Sequence, residues 1–126
     1  GIYFGQIAID PAVGDVTATT IEGQAEQVMK NLGEVLKAAG SSYEKAVKTT
    51  CFLADMGDFA AFNEIYGKYF TGKPARSCVA SKNYLTKMLL VEVEVIASKF
   101  KKFNLDVFSS LVDKVVTKVK RILEKV

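Results

Sequence analysis

The chain carries KPARSCV at residues 73–79 and the alternating sequence VEVEVIA at residues 91–97. These segments lie in two predicted strands, 75–81 and 89–97, which residues 82–88 join. Arg76 offers a planar fork of N–H donors that suits a carboxylate. Glu92 can orient a water molecule against whatever the arginine holds. The pattern therefore predicts a small-anion site with an acid/base group beside it.

Two interpretations of this arginine remain open at the sequence level. A strand arginine opposite a strand glutamate also forms structural ion pairs, so Arg76 paired with Glu92 or Glu94 is the alternative. Cys78 has no partner base and is a weak candidate for a nucleophile. The two cysteines lack metal-ligand spacing, so we expect neither a disulfide framework nor a metal site. The chain has no histidine, which excludes Ser-His and Cys-His triads.

The order of predicted elements indicates an α+β fold. A strand is predicted over residues 1–9, and a helix follows it. Thr19 and Glu22, at capping-box spacing, mark the start of this helix, and Gly40 marks its end. A strand over residues 46–54 and a helix that Asp55 caps follow before the last two strands. The order strand-helix-strand-helix-strand-strand suits a mixed sheet with two helices on one face.

Length and charge divide the chain into two parts. Its 126 residues, 49% of them apolar, fit one domain with a single core. Residues from 99 onward contain eight Lys/Arg and three Asp/Glu, whereas the preceding residues contain nine and eleven. We therefore predict a domain over residues 1–98 and an added segment over 99–126. The N-terminus lacks the charge order of a signal peptide and no apolar run is long enough to span a bilayer, so we expect a cytoplasmic protein.

The C-terminal segment has the pattern of an amphipathic helix. Its many valines lower intrinsic helicity, so we expect the helix to be stable only when its apolar stripe is packed, either on the domain or on a partner. The basic residues lack the aromatic interleaving of a nucleic-acid surface, and membrane binding is less favoured because aromatic anchors are few. The residues predicted to pack are Phe108, Leu111, Val115, Val119 and Ile122.

Short motifs spread over residues 2–97 give the chain a family resemblance. The sequence resembles the Rid family, also called YjgF, of reactive-intermediate (enamine/imine) deaminases. Many matches in order, at natural spacing, make the resemblance specific. The matching motifs are GQIAIDP at 5–11, QAEQV at 24–28, VKTT at 47–50, LADM at 53–56, NEIY at 63–66 and PARS at 74–77.

This resemblance implies a fold and a chemistry. Family members have a chorismate-mutase-like α+β fold and usually form homotrimers with active sites between subunits. They hydrolyse small 2-imino acids to 2-keto acids and ammonia without a metal or organic cofactor. On this pattern Arg76 binds the substrate carboxylate and Glu92 positions the attacking water, while Cys78, Gly5 and Gln6 line the site. We predict an oligomer, with a monomer as the second possibility.

The sequence also departs from the family pattern. On that pattern a strand with a site-lining tyrosine would precede Ile2, and a serine would stand at Phe4. The Leu-Pro-Lys-Gly-like loop reads LTKM at 85–88, and the final helix has no family counterpart. These differences suggested an engineered scaffold in which imine hydrolysis is weakened or lost. The alternative is an active deaminase of the family type.

Overall fold

The computed structural model describes residues 1–81, 83, 85, 88–99 and 105–125, except for the side chains of 105–111. Short 3₁₀ helices lie at Tyr43–Lys45 and Met56–Asp58. The other elements, in chain order, are β1 (Ile2–Ile7), β2 (Ile9–Asp10), β3 (Asp15–Val16), α1 (Ile21–Ala38), β4 (Ala46–Leu53), α2 (Phe59–Tyr69), β5 (Ala75–Ala80), β6 (Val91–Ala97) and α3 (Leu105–Glu124).

The main sheet is mixed and has the strand order β1-β6-β4-β5. Strand β6 runs antiparallel to both of its neighbours, while β4 and β5 run parallel. Strands β2 and β3 form a separate two-stranded ribbon. The α+β fold with a mixed sheet, predicted from the order of elements, is confirmed.

The core lies between the sheet and the first two helices. Strand β6 contributes Val91, Val93, Val95 and Ala97, which are buried on one sheet face. Helix α1 covers that face and also contacts α2. Burial of each large apolar side chain contributes roughly 1.5–3 kcal/mol, so this layer stabilises the fold. The core residues that α1 and α2 contribute are Ile21, Ala25, Val28, Met29, Leu32, Leu36, Phe62, Ile65 and Tyr66.

Capping residues fix the ends of α1. Thr20, rather than Thr19, is the N-cap, and its side chain accepts from the N–H of Gly23 at 3.1 Å. The capping-box assignment was therefore wrong by one residue. At the other end Gly40 has a φ of 74°, and the N–H of Ser41 donates to Leu36 O at 2.8 Å. This left-handed conformation favours glycine, as predicted for the helix end.

Strand β4 departs from simple alternation at its start. Thr49, Cys51 and Leu53 are buried, but Val47, which stands two residues before Thr49, is 57% exposed. The pairing of β4 with β6 shifts register between Ala46 and Lys48. Such an irregularity breaks the two-residue period, so Val47 does not continue the buried face.

The amphipathic helix forms, but its described residues do not pack on the domain. Val115, Val119 and Ile122 are 62%, 49% and 56% exposed. Docking on the chain's own domain, one of the two predicted arrangements, is therefore not seen for these residues. Phe108 and Leu111 lie outside the described side chains. Among the described residues, no helix is long and apolar enough to cross a membrane.

Candidate active site

Arg76 lies at the start of β5 on the helix-covered face of the sheet, opposite Thr49 of β4. Its Nη1 donates to Oδ1 of Asn63 at 2.6 Å. The guanidinium carbon lies 4.5 Å from the ring centre of Tyr66 and 5.4 Å from that of Phe59. A cation over aromatic rings is attracted to them and held in orientation. These four residues form what we call the arginine cleft.

The arginine cleft opens onto a cavity of about 650 Å³. Guanidinium has five N–H donors, and the bond to Asn63 uses one of them. Lys73 adds a second basic residue to the lining. A space of this size with a positioned arginine suits a small anionic ligand. The lining residues are Asn63, Tyr66, Gly67, Phe70, Thr71, Lys73, Pro74 and Arg76.

The hydroxyl group of Tyr66 fixes its ring beneath the arginine. This hydroxyl lies 2.7 Å from Oγ1 of Thr49, which is buried in β4. Burial raises the pKa of Tyr66 above its ordinary value, so the phenol stays neutral near pH 7. Tyr66 also stacks on Phe70, with ring centres 4.7 Å apart. The tyrosine is therefore a rigid support for Arg76.

The two cysteines are neighbours on the same face as Arg76. Cys78 of β5 pairs in register with Cys51 of β4. Burial raises the pKa of Cys51 to about 12 and also raises that of Cys78, which nearby Arg76 only partly offsets. Since the thiolate is the reactive form, neither thiol is activated as a nucleophile at neutral pH. Cys78 can line the cleft without taking part in bond formation.

Glu92 lies on the opposite, open face of the sheet, together with Glu94. A Cβ built on Gly5 would lie 3.3 Å from Oε1 of Glu92 and 3.2 Å from Cγ of Glu94, so both side chains approach the backbone of β1 closely. The hydroxyl of Tyr3 donates to Oε2 of Glu94 at 2.5 Å. We call these four residues the glutamate face.

The environment of Glu92 raises the pKa of its carboxyl group above the value of an exposed glutamate. Burial, and secondly the negative charge of Glu94, raise the pKa of Glu92 above the ordinary 4.5. A carboxylate with a raised pKa is a stronger base once it is ionised. Glu92 therefore has the character that a proton-accepting group needs.

Within one chain, the structure does not bring Arg76 and Glu92 together. Strand β4 lies between β5 and β6, so the two residues are about 10 Å apart across the strands and on opposite faces. Arg76 is level with Thr49 and Glu92 with Phe52, which adds about 10 Å along the strands. The prediction of an acid/base group beside Arg76 is therefore wrong within one chain, and neither Glu92 nor Glu94 pairs with Arg76 there.

Gly5 and Gln6 lie at the far edge of the sheet from the arginine cleft. Gly5 is opposite Glu94 and belongs to the glutamate face, whereas Gln6 is opposite Val93 on the helix-covered side. Strand β1 is about 14 Å from β5 because two strands separate them. The predicted site residues therefore form two groups, Arg76 with Cys78 and Glu92 with Gly5, and Gln6 belongs to neither group.

Two buried amides of α1 hold the segments that carry the glutamate face. Nε2 of Gln24 donates to Ala18 O at 3.0 Å and to Met88 O at 2.7 Å, and its Oε1 accepts from the N–H of Leu90 at 2.8 Å. These bonds fix the entry to β6, which carries Glu92. Asn31 similarly donates to the carbonyls of Ile7 and Ile9 at the end of β1.

From the sequence alone, Asn63 and Tyr66 had no role in the site beyond their place in a family motif. Both belong to the arginine cleft. Their spacing of three residues, with Phe59 four residues before Asn63, places all three on one side of α2. That periodicity was the available signal. No cluster of potential metal ligands occurs among the residues for which the structure gives positions.

Comparison with known proteins decides the family. A profile of the family described as Endoribonuclease L-PSP matches residues 2–99. The crystal structure of YyfA from Yersinia pestis, described as a Rid family protein, superposes with a TM-score of 0.71 at 45% identity, covering 75% of this chain and 76% of that one. The chain belongs to the Rid family. The resemblance inferred from the motifs is confirmed.

Two further Rid relatives bear on the chemistry. A Mus musculus protein named 2-iminobutanoate/2-iminopropanoate deaminase is 47% identical over 96 residues, covering 74% of this chain and 69% of that protein. The crystal structure of E. coli TdcF with bound serine has a TM-score of 0.70 at 34% identity, covering 78% of this chain and 80% of that one. Nothing in the structure or in these relatives supports the engineered-scaffold hypothesis.

Proposed function

We propose that the protein is a Rid-type deaminase that hydrolyses small 2-imino acids to 2-keto acids and ammonia. The observation that carries the proposal is the arginine cleft, in which Asn63 and the Tyr66 ring hold Arg76 beside a cavity. The mouse relative is named for this activity. The serine in TdcF is an amino acid and has a carboxylate group like that of a 2-imino acid.

Arg76 binds the carboxylate of the substrate. The guanidinium can form a bidentate pair with two carboxylate oxygens, which fixes both the position and the plane of the ligand. Because the pair is fixed, the imine carbon next to the carboxylate takes a defined place in the cleft. A charged hydrogen-bonded pair of this kind contributes roughly 1.5–3 kcal/mol.

Glu92 accepts a proton from the attacking water. The water oxygen bonds to the imine carbon, the carbon-nitrogen π electrons move to nitrogen, and Glu92 passes the proton from water to that nitrogen. The hydroxyl of the resulting tetrahedral intermediate then gives its proton to Glu92 and becomes the keto group, and Glu92 delivers this second proton to the nitrogen, which leaves as ammonia. One water is consumed and one ammonia released. The reaction needs only water and proton transfer, so the proposal invokes no cofactor.

The complete site is formed by two subunits. Because Arg76 and Glu92 lie on opposite faces of one sheet, the arginine cleft of one copy must meet the glutamate face of another. A head-to-tail contact of this type forms a ring when its rotation closes, and closure after three copies gives the homotrimer that the family resemblance implies. The partially exposed Tyr3, Glu94 and Ile96 lie on the face that this contact would cover.

Ammonia release from freshly generated 2-iminopropanoate tests the function. We expect release well above the spontaneous rate, and we expect Arg76→Ala to lower kcat/KM by about 10- to 150-fold, from the energy of one charged pair. Arg121→Ala is the matched control, because it removes the same charge from exposed α3. Release at the spontaneous rate by the unmodified protein would refute the proposal. Equal losses of kcat/KM in the two variants would show that Arg76 has no specific role in the reaction.

A further inference from the structure

Helix α3 presents an apolar stripe that no part of its own chain covers, as far as the described side chains show. Val112, Val116 and Leu123 are 42%, 45% and 66% exposed, in addition to Val115, Val119 and Ile122. Six large apolar side chains within twelve residues are a contiguous patch, and such patches mark interaction sites. The stripe is therefore a candidate surface for a partner outside the single chain.

The stripe has the spacing of a coiled coil. Apolar residues recur at alternating steps of three and four residues, which is the heptad pattern with apolar a and d positions. Lys114, Lys118, Lys120, Arg121 and Lys125 all fall outside these positions. The a positions are Leu105, Val112, Val119 and Val126, and the d positions are Phe108, Val115 and Ile122.

The residue types indicate how many helices associate. All four described core positions, Val112, Val115, Val119 and Ile122, carry β-branched side chains. Dimers favour leucine at d, whereas β-branched residues at both a and d favour three or four strands. Val116 and Leu123 occupy the e position and widen the stripe beyond the narrow seam of a dimer.

We propose that α3 associates with α3 of other copies of this chain as a parallel three-stranded coiled coil. The proposal concerns a surface outside the deaminase site and adds to the subunit contact described above. Three heptads are short for an isolated coiled coil. Copies already joined through their sheets hold their helices at a high effective concentration, which favours association.

A membrane surface is the main competing occupant of this stripe. Peripheral membrane helices carry aromatic and leucine anchors on the apolar face. Here the described a and d positions are valine and isoleucine, and Asp113 and Glu124 interrupt the basic face. A helix with so few anchors and with acidic residues on its polar side is better matched to helix packing.

Disulfide trapping in the full chain tests the proposal. In a parallel coiled coil the d residues of different copies meet at the axis, so Val115→Cys should form crosslinked dimers under mild oxidation. Thr117→Cys is the matched control, because Thr117 is exposed and lies at an f position facing away from the axis. Both variants retain Cys51 and Cys78, so crosslinks through those thiols appear in both.

We expect at least a tenfold excess of crosslinked chain in Val115→Cys. Equal or absent crosslinking in the two variants would overturn the proposal. Binding to a membrane would also overturn it: the protein would then co-sediment with phosphatidylserine vesicles, and Val119→Asp would abolish this binding while Thr117→Asp would not. The outcome is separable from the proposed enzyme function. Ammonia release without crosslinking refutes only the coiled coil, and crosslinking without ammonia release refutes only the deaminase.

Discussion

Replacing Gln24 with alanine tests whether one buried amide joins α1 to the strand that carries Glu92. The Gln24 side chain is 1% exposed and makes three hydrogen bonds, to Ala18 O, Met88 O and the N–H of Leu90. Each bond contributes roughly 0.5–1.5 kcal/mol net, so their loss should lower the free energy of unfolding by about 1.5–4.5 kcal/mol. Domains of this kind have only about 5–15 kcal/mol in total.

Equilibrium urea unfolding, followed by circular dichroism at one fixed protein concentration, measures this loss. Gln27→Ala is the matched control, because Gln27 lies on the same helix and its side chain donates one bond, to Asn31. We expect the Gln27 variant to lose at most about 1.5 kcal/mol. A Gln24 variant no less stable than the Gln27 variant would refute the reasoning, since the bonds to Met88 and Leu90 would then not hold the entry to β6.

Two further predictions concern the site. Glu94→Gln removes the second cause of the raised pKa of Glu92, so this pKa should fall toward 4.5 while burial still holds it above that value. Because catalysis uses ionised Glu92, the acid limb of the kcat/KM profile should move to lower pH, and an unmoved limb would contradict the role of Glu94. Asn63→Ala removes the acceptor that orients Arg76, so KM should rise several-fold with a smaller change in kcat. Unchanged steady-state kinetics would show that Arg76 does not need the hydrogen bond to Asn63.

Local sequence patterns predicted the elements well, because periodicity and caps act over a few residues. The helical spacing of α1 and its end at Gly40 both depend on such short-range physics. The register shift near Val47 could not be predicted from local pattern, because it depends on how β4 pairs with β6. The sequence predicted Thr19 as the N-cap of α1 instead of Thr20, and an error of one residue is usual at a helix boundary.

The site was harder to predict because it depends on strand order. Arg76 and Glu92 lie on consecutive strands of the sequence, which suggested that they were neighbours. In the sheet β4 lies between those strands and the two side chains face opposite ways. Long-range pairing leaves no local signal in one sequence. For α3, periodicity predicted the stripe, but amphipathicity alone does not specify what covers it.

Subunit complementation tests most directly the claim that Arg76 of one copy works with Glu92 of another. Arg76→Ala and Glu92→Gln chains, each strongly impaired alone, are co-expressed with different tags and purified as mixed oligomers. In a mixed three-membered ring each site draws its arginine and its glutamate from different chains, so about one third of the sites should carry both residues. We predict recovery of about one third of the unmodified ammonia-release rate in the purified mixed oligomers. Mixed oligomers no more active than the separate variants would contradict the two-subunit site.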